Sequence, residues 1–176
     1  MRKSAVSCKL SVVSCARTRA FTLIETLIAI SILLVAVVGP ISLIGDATHK
    51  LYYSKDQMIA INLAQEGIEA VRQVRDSNML AVGAWDTNIT AGNYMVNLKN
   101  DPPVVLLTDS NVYIDSGTGL YEQGTVTATT TQFTRTVTIA DVVAGIEKNV
   151  TSTVTWRTGG DTGTVAFSEN IFNWQI

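Results

Sequence analysis

Eighteen consecutive residues, 27–44, carry no charge, and that run limits what the chain can be more than any other feature. With its flanks, the stretch 21–45 reads FTLIETLIAISILLVAVVGPISLIG. A helix of that length crosses the roughly 30 Å hydrocarbon core of a bilayer, whereas a surface helix of a soluble domain would show one polar side. The charges on either side are unequal. All five basic residues of the first twenty (Arg2, Lys3, Lys9, Arg17, Arg19) stand without an acid, which leaves eight basic against 15 acidic side chains from Phe21 onward. A basic leader before an apolar run places the amino end in the cytoplasm and the bulk of the chain outside. A secretory signal peptide has a similar basic start, but this apolar stretch is long and carries Glu25 near its beginning.

Composition excludes several kinds of chemistry. The formal −7 after the leader is wrong for a nucleic-acid surface, which needs clustered Lys and Arg. Both cysteines, Cys8 and Cys15, lie in the leader, so the rest of the chain can form neither a disulfide nor a thiolate metal site. With His49 as the single histidine, a histidine-based metal centre or a His-dependent triad is hard to assemble. The expectation is a protein that is not an enzyme and uses no cofactor.

Glu25 needs an explanation, because an acid near the end of an apolar helix is costly in a bilayer and usually has a partner or a function. Its context supplies one. The segment Arg19-Ala20-Phe21-Thr22-Leu23-Ile24-Glu25, followed by the unbroken apolar run, resembles the processing motif of the type IV pilin and type II secretion pseudopilin superfamily. The resemblance covers about 30 residues, from Arg17 to roughly Thr48. It implies removal of the basic leader 1–20 by a prepilin peptidase between Ala20 and Phe21, then N-methylation of Phe21. Ala20 stands where the family usually has glycine. The resemblance also implies that Glu25 neutralises the amino terminus of a neighbouring subunit during filament assembly, and a carboxylate suits such a cation in an apolar setting. Gly39 and Pro40 interrupt the run; proline removes a backbone hydrogen bond and bends a helix there.

Beyond the apolar segment 21–45, residues 46–76 read as a continuing amphipathic helix. Ala60, Ile61, Ala64, Gly67, Ile68, Val71 and Val74 recur at three- and four-residue spacings and form one apolar face. Glu69, Arg72 and Asp76 form supporting charge pairs on the other. Glu66 and Glu69 are read as a solvated face rather than a catalytic or metal-binding pair. From Phe21 to Asp76, at about 1.5 Å per residue, a single rod would reach on the order of 80 Å.

Residues 77–176 turn to threonine, valine, glycine and asparagine. Alternating β-branched runs at 94–98, 112–114, 133–139, 150–156 and 164–167, with an extension toward Trp174, predict strands. Glycines at 159, 160 and 163 and the segment 116–119 mark turns. The predicted fold class is α+β, an antiparallel sheet on the outer half of a long helix. The pair Phe133-x-Arg135 with the strand ending at Trp156 resembles loosely a pattern of pilus-modification-type pseudopilins. Trp85 and Trp174 are weighed as core caps against adhesive anchors. Asp109, Asp115 and Asp161 are weighed as a loop calcium site against solvated acids, with solvation favoured and no metal expected. Asn88-Ile89-Thr90 matches a glycosylation pattern that arises readily by chance, and Cys15 sits in a faint lipoprotein-like box.

The resemblance thus implies a minor pilin in a bacterial cytoplasmic membrane and then in a cell-surface filament. Its partners would be other pilin or pseudopilin subunits, a prepilin peptidase/N-methyltransferase, a membrane assembly platform and the lipid bilayer, with no direct nucleic acid. The rivals are a pseudopilin of the secretion or DNA-uptake class and an unprocessed membrane-anchored binding module.

Overall fold

The computed structural model describes residues 21–124 and 129–174 and divides into two units, the first ending at Asp46 and the second beginning at Ala47. The architecture is α+β: one helix, α1 (Leu23–Leu80), and a seven-stranded antiparallel sheet. In the first unit, every described residue from Phe21 to Asp46 is exposed. Leu23, Val35 and Leu43 show 83%, 76% and 70% of their surfaces, so the apolar side chains look outward on all sides.

The second unit has its own core. Its strands are β1 (Gly92–Val96), β2 (Val104–Leu106), β3 (Asn111–Ile114), β4 (Tyr121–Glu122), β5 (Thr129–Val143), β6 (Glu147–Thr158) and β7 (Asp161–Phe172). β5, β6 and β7 form a long meander, in register from Phe133↔Trp156 through Ile139↔Val150 and from Glu147↔Phe172 to Thr158↔Asp161. The turn after β6 is the two-residue loop Gly159-Gly160, with Gly159 at φ 60°, the conformation that a tight hairpin demands of its first loop residue.

The other edge of β5 is shared. β3 pairs with its first part, Asn111↔Thr134, and β1 with its later part, Tyr94↔Val137. β4 and β2 lie outside them. Between the two partners a gap opens at Arg135, whose N–H donates to the Ser110 carbonyl at 2.8 Å.

The helix from Ala60 onward lies on the inner face of this sheet, and the expected stripe is the buried one: Ala60, Ala64, Gly67, Ile68, Val71 and Val74 are buried, joined by Leu63, Ala70 and Met79; Ile61 is half-buried. The core falls into two apolar clusters. One gathers Leu63, Val112, Phe133, Val154 and Trp156; the other gathers Val71, Trp85, Val137, Ile139, Val150 and Ile171. Polar or small residues separate them on each element: Glu66 and Gly67 on α1, Arg135 on β5, Ser152 on β6. At this waist the helix comes so near the sheet that a Cβ added to Gly67 would stand 2.3 Å from Ser152 Oγ and 3.1 Å from Val137 Cγ2. A second close approach lies over Trp156, where a Cβ on Gly163 would fall 2.2 Å from the indole ring.

Candidate functional site

The start of α1 carries the residues singled out by the sequence. Phe21 and Thr22 precede the first helical turn and Glu25 lies within it. The Glu25 N–H donates to Thr22 Oγ1 at 3.3 Å, and the Glu25 and Thr26 N–H groups donate to the Thr22 carbonyl at 3.1 and 3.2 Å. Thr22 is therefore the N-cap, and Thr22-x-x-Glu25 has the spacing of a capping box. The sequence pattern holds this signal, within a motif read for other chemistry. An acid in the first turn is also favoured by the partial positive charge of the helix terminus. Glu25 is exposed, so the carboxylate is open to a partner. Ala20, the expected residue before the cut, lies outside the described residues, as does Cys15.

Gly39 and Pro40 lie inside α1, which continues through them. Pro40 has no N–H to give the Ala36 carbonyl, while Ser42 Oγ donates to the Gly39 carbonyl at 2.9 Å. Ser31 Oγ and Thr26 Oγ1 donate in the same way to Leu27 and Leu23 carbonyls, both at 2.8 Å. The hydroxyls of Thr26, Ser31 and Ser42 thus satisfy themselves on their own backbone, as a helix in a bilayer would require.

In the second unit the sheet gap is filled by side chains. Because Asn93↔Leu107 and Asn97↔Pro103 are bonded across β1 and β2, Val96 turns its N–H and carbonyl away from β2. Gln123 Oε1 accepts the Val96 N–H at 3.1 Å, and Arg135 Nη2 donates to the Val96 carbonyl at 3.1 Å. Arg135, fully buried, also gives Nε to Gln123 Oε1 at 2.8 Å and Nη1 to the Leu63 carbonyl of α1 at 3.1 Å. Glu66 Oε1 stands 3.3 Å from Nη1, close enough to pair as ions but off the hydrogen-bonding line. Burial pushes the Arg135 guanidinium below its ordinary value, and Glu66 opposes that shift. Glu66 is therefore a structural counter-ion and not a freely solvated acid.

Arg72 does not reach Asp76. It holds Glu69 at 3.0 Å and Glu169 of β7, and Asp76 takes Arg75 at 2.8 Å. Lys148, buried, meets Asp141 at 2.5 Å and Asp86 at 3.4 Å and lies over the Trp85 ring. Trp85 itself is buried and donates to the Gly145 carbonyl at 3.0 Å, which makes it a core residue, whereas Trp174 is 64% exposed.

The three aspartates weighed as a calcium site are engaged separately, and Asp161 opens β7 rather than lying in a loop. Asp109 accepts from Tyr113 and Asn111; Asp115 meets Lys99 at 2.7 Å; Asp161 faces His49 at 3.8 Å. Asn88 is exposed in the loop before β1.

Comparison with known proteins adds one finding, which falls on the first of these regions. A family model described as the prokaryotic N-terminal methylation motif matches residues 15–39. No curated protein and no solved structure matches the chain. The matched residues include Ala20, Phe21, Glu25 and Gly39 and run into a helix long and apolar enough to cross a membrane. This chain carries the type IV pilin and pseudopilin signal at the head of a long apolar helix, and is prepilin-like.

Proposed function

We propose that this chain is the precursor of a filament subunit, a minor pilin, cut between Ala20 and Phe21, N-methylated on Phe21 and built through its helix into a type IV pilus or a similar filament. The observation that carries the reading is the methylation motif set directly on a helix whose apolar side chains are exposed on every side. Such a surface has to be covered, by lipid before assembly and by the helices of other subunits after it.

Each residue then has a task. The basic leader stays on the cytoplasmic side of the membrane for the prepilin peptidase. Removing it exposes a cationic amino group on Phe21, and Glu25 neutralises the amino group of a neighbouring subunit, so two costly charges leave the apolar phase together. Gly39 and Pro40 are the place where the helix yields when a filament extends, because Pro40 leaves one turn a hydrogen bond short. The sheet faces solvent, and the role is assembly, not catalysis.

The test is incorporation. Wild-type, Glu25→Ala and Glu25→Gln chains, expressed in cells that build such filaments, are compared in sheared filament and membrane fractions. The wild type in filaments and both variants held in the membrane is the expected result. Equal incorporation of Glu25→Ala would remove Glu25 from assembly. Wild type that never leaves the membrane would favour an anchored binding module. Recovery with a secretion or DNA-uptake apparatus instead of a pilus would assign the chain to the pseudopilin branch.

A further inference from the structure

An edge strand carries a row of backbone groups that no neighbouring strand bonds, and proteins usually shorten, kink or charge such edges. Three strands of this sheet have a single neighbour: β2, β4 and β7. The first two are short, at three and two residues. β7 runs for 12 residues with no proline, lysine or arginine, and its pairing with β6 has no bulge.

Which groups of β7 are open follows from the turn before it. The two-residue loop makes Thr158↔Asp161 a hydrogen-bonded pair. Just past the other end of the strand, the Asn173 N–H donates to the Ile146 carbonyl at 2.8 Å, in the same phase. The odd-numbered residues of β7 therefore turn their N–H and carbonyl groups to β6. Thr162, Thr164, Ala166, Ser168, Asn170 and Phe172 turn theirs away from it. All six are exposed, and these backbone groups have no protein partner among the described residues.

The open edge borders a groove against the helix, lined by Glu66, Ile68, Glu69 and Arg72 of α1 and by Phe167 and Glu169 of β7. Ile68 and Phe167 give it an apolar floor. Its charges do not cancel. Glu66 is answered by Arg135 behind it, but Arg72 is one cation shared between Glu69 and Glu169, and the Glu69 side chain is 71% exposed.

A strand laid along β7 would bond its backbone to the outward N–H and carbonyl groups and point alternate side chains into the groove. An apolar side chain suits the place beside Phe167. Beside Glu169 and Glu69 the surplus carboxylate suits a basic side chain, whose aliphatic stem can lie along the apolar floor, and repels an acidic one. None of the three edge strands contains Lys or Arg, so a second copy of this chain brings no edge that matches.

We propose that the outer edge of β7 binds an extended segment of another protein by strand addition, with one Lys or Arg of that segment seated against Glu69 and Glu169. The proposal goes beyond the filament reading and depends on neither processing, methylation nor assembly.

The test follows amide hydrogen exchange in the full chain held in detergent micelles. The probe is a capped peptide of alternating threonine and valine in which the central valine is replaced by lysine. It is expected to slow exchange at the outward N–H groups of β7, saturably, and not at β2 or β4. The same peptide with glutamate in place of the lysine should bind roughly fivefold more weakly, and Glu69→Gln should abolish that preference while strand addition persists. Ala166→Pro, which gives up an N–H that β6 does not use, should weaken the peptide and leave exchange at the odd-numbered residues of β7 unchanged. Outward amides that stay unprotected by the lysine peptide, or equal binding of the lysine and glutamate peptides to the wild type, overturn the proposal. Protection that rises with the concentration of the chain alone would make the edge a self-association surface and overturn the assignment to another protein. None of these readouts involves cleavage or a filament, so the proposal and the functional reading fail separately.

Discussion

Replacing Arg135 by methionine removes the cation at the waist of the core while keeping much of its apolar length. Four contacts go: Nε to Gln123 Oε1 at 2.8 Å, Nη1 to the Leu63 carbonyl and Nη2 to the Val96 carbonyl at 3.1 Å each, and the 3.3 Å approach to Glu66. The losses are unequal. Gln123 Oε1 still has the Val96 N–H, and the Leu63 carbonyl keeps its helical partner. The Val96 carbonyl faces away from β2 and is left without a donor, a cost of about 1–3 kcal/mol. Glu66 loses its counter-ion but keeps 29% of its side chain exposed, so it falls short of the full 3–5 kcal/mol for breaking a buried pair. The sum is about 3 kcal/mol. Urea unfolding of the full chain in detergent, followed by the fluorescence of buried Trp85 and Trp156, reads it as a midpoint lowered by about 1.5 M for a slope near 2 kcal/mol/M. Arg135→Lys keeps the charge but cannot fork to helix and strand together, and belongs in between. A loss under about 1 kcal/mol for Arg135→Met would refute the reasoning, because the buried carbonyl must then have found another donor.

Three further outcomes follow from the same geometry. Gly67→Ala gains up to about 1 kcal/mol of helix propensity but crowds Ser152 and Val137 at a cost of about 1–3 kcal/mol; a net loss is expected in urea unfolding, and Ser152→Gly in the same chain should recover part of it. Gly163→Ala puts a methyl 2.2 Å from the Trp156 ring with no propensity to offset it, so a larger fall in the midpoint and a change in tryptophan emission are expected. Asp115 is held down to about 2, first by the Lys99 ammonium and then by the Gly117 and Thr118 N–H groups. Its folded value lies below the ordinary carboxylate value, so its contribution is complete above about pH 4 and fades as pH falls toward 2. The loop between β3 and β4 should lose hydrogen-exchange protection over that window, and Asp115→Asn should remove the dependence.

How much of this was legible depended on element length. The apolar run and the helix stripe are long periodic signals, and the alternation at 133–139, 150–156 and 164–167 found the middles of β5, β6 and β7, which run on to 12 to 15 residues. β2 and β4 span three and two residues, too short to alternate, and only the neighbouring chain makes them strands. The predicted strand at 94–98 runs instead from Gly92 to Val96, because the chain turns after Asn97, whose carbonyl accepts the Asn100 N–H at 3.0 Å. Charges were hardest. Glu66 shares its amphipathic spacing with Glu69, yet one meets a buried arginine on β5 and the other an arginine one turn away. Nothing local distinguishes them, since the partner of Glu66 lies in a strand far along the sequence. Gln123 gave no signal for the same reason. Thr22 gave one, the capping-box spacing, within a motif read for other chemistry.

The most direct test of the central claim is the intact mass and amino-terminal sequence of the membrane-extracted protein, expressed with a prepilin peptidase and without it. The account predicts a chain beginning at N-methylated Phe21 only when the peptidase is present. A chain that keeps residues 1–20 in both preparations would contradict it.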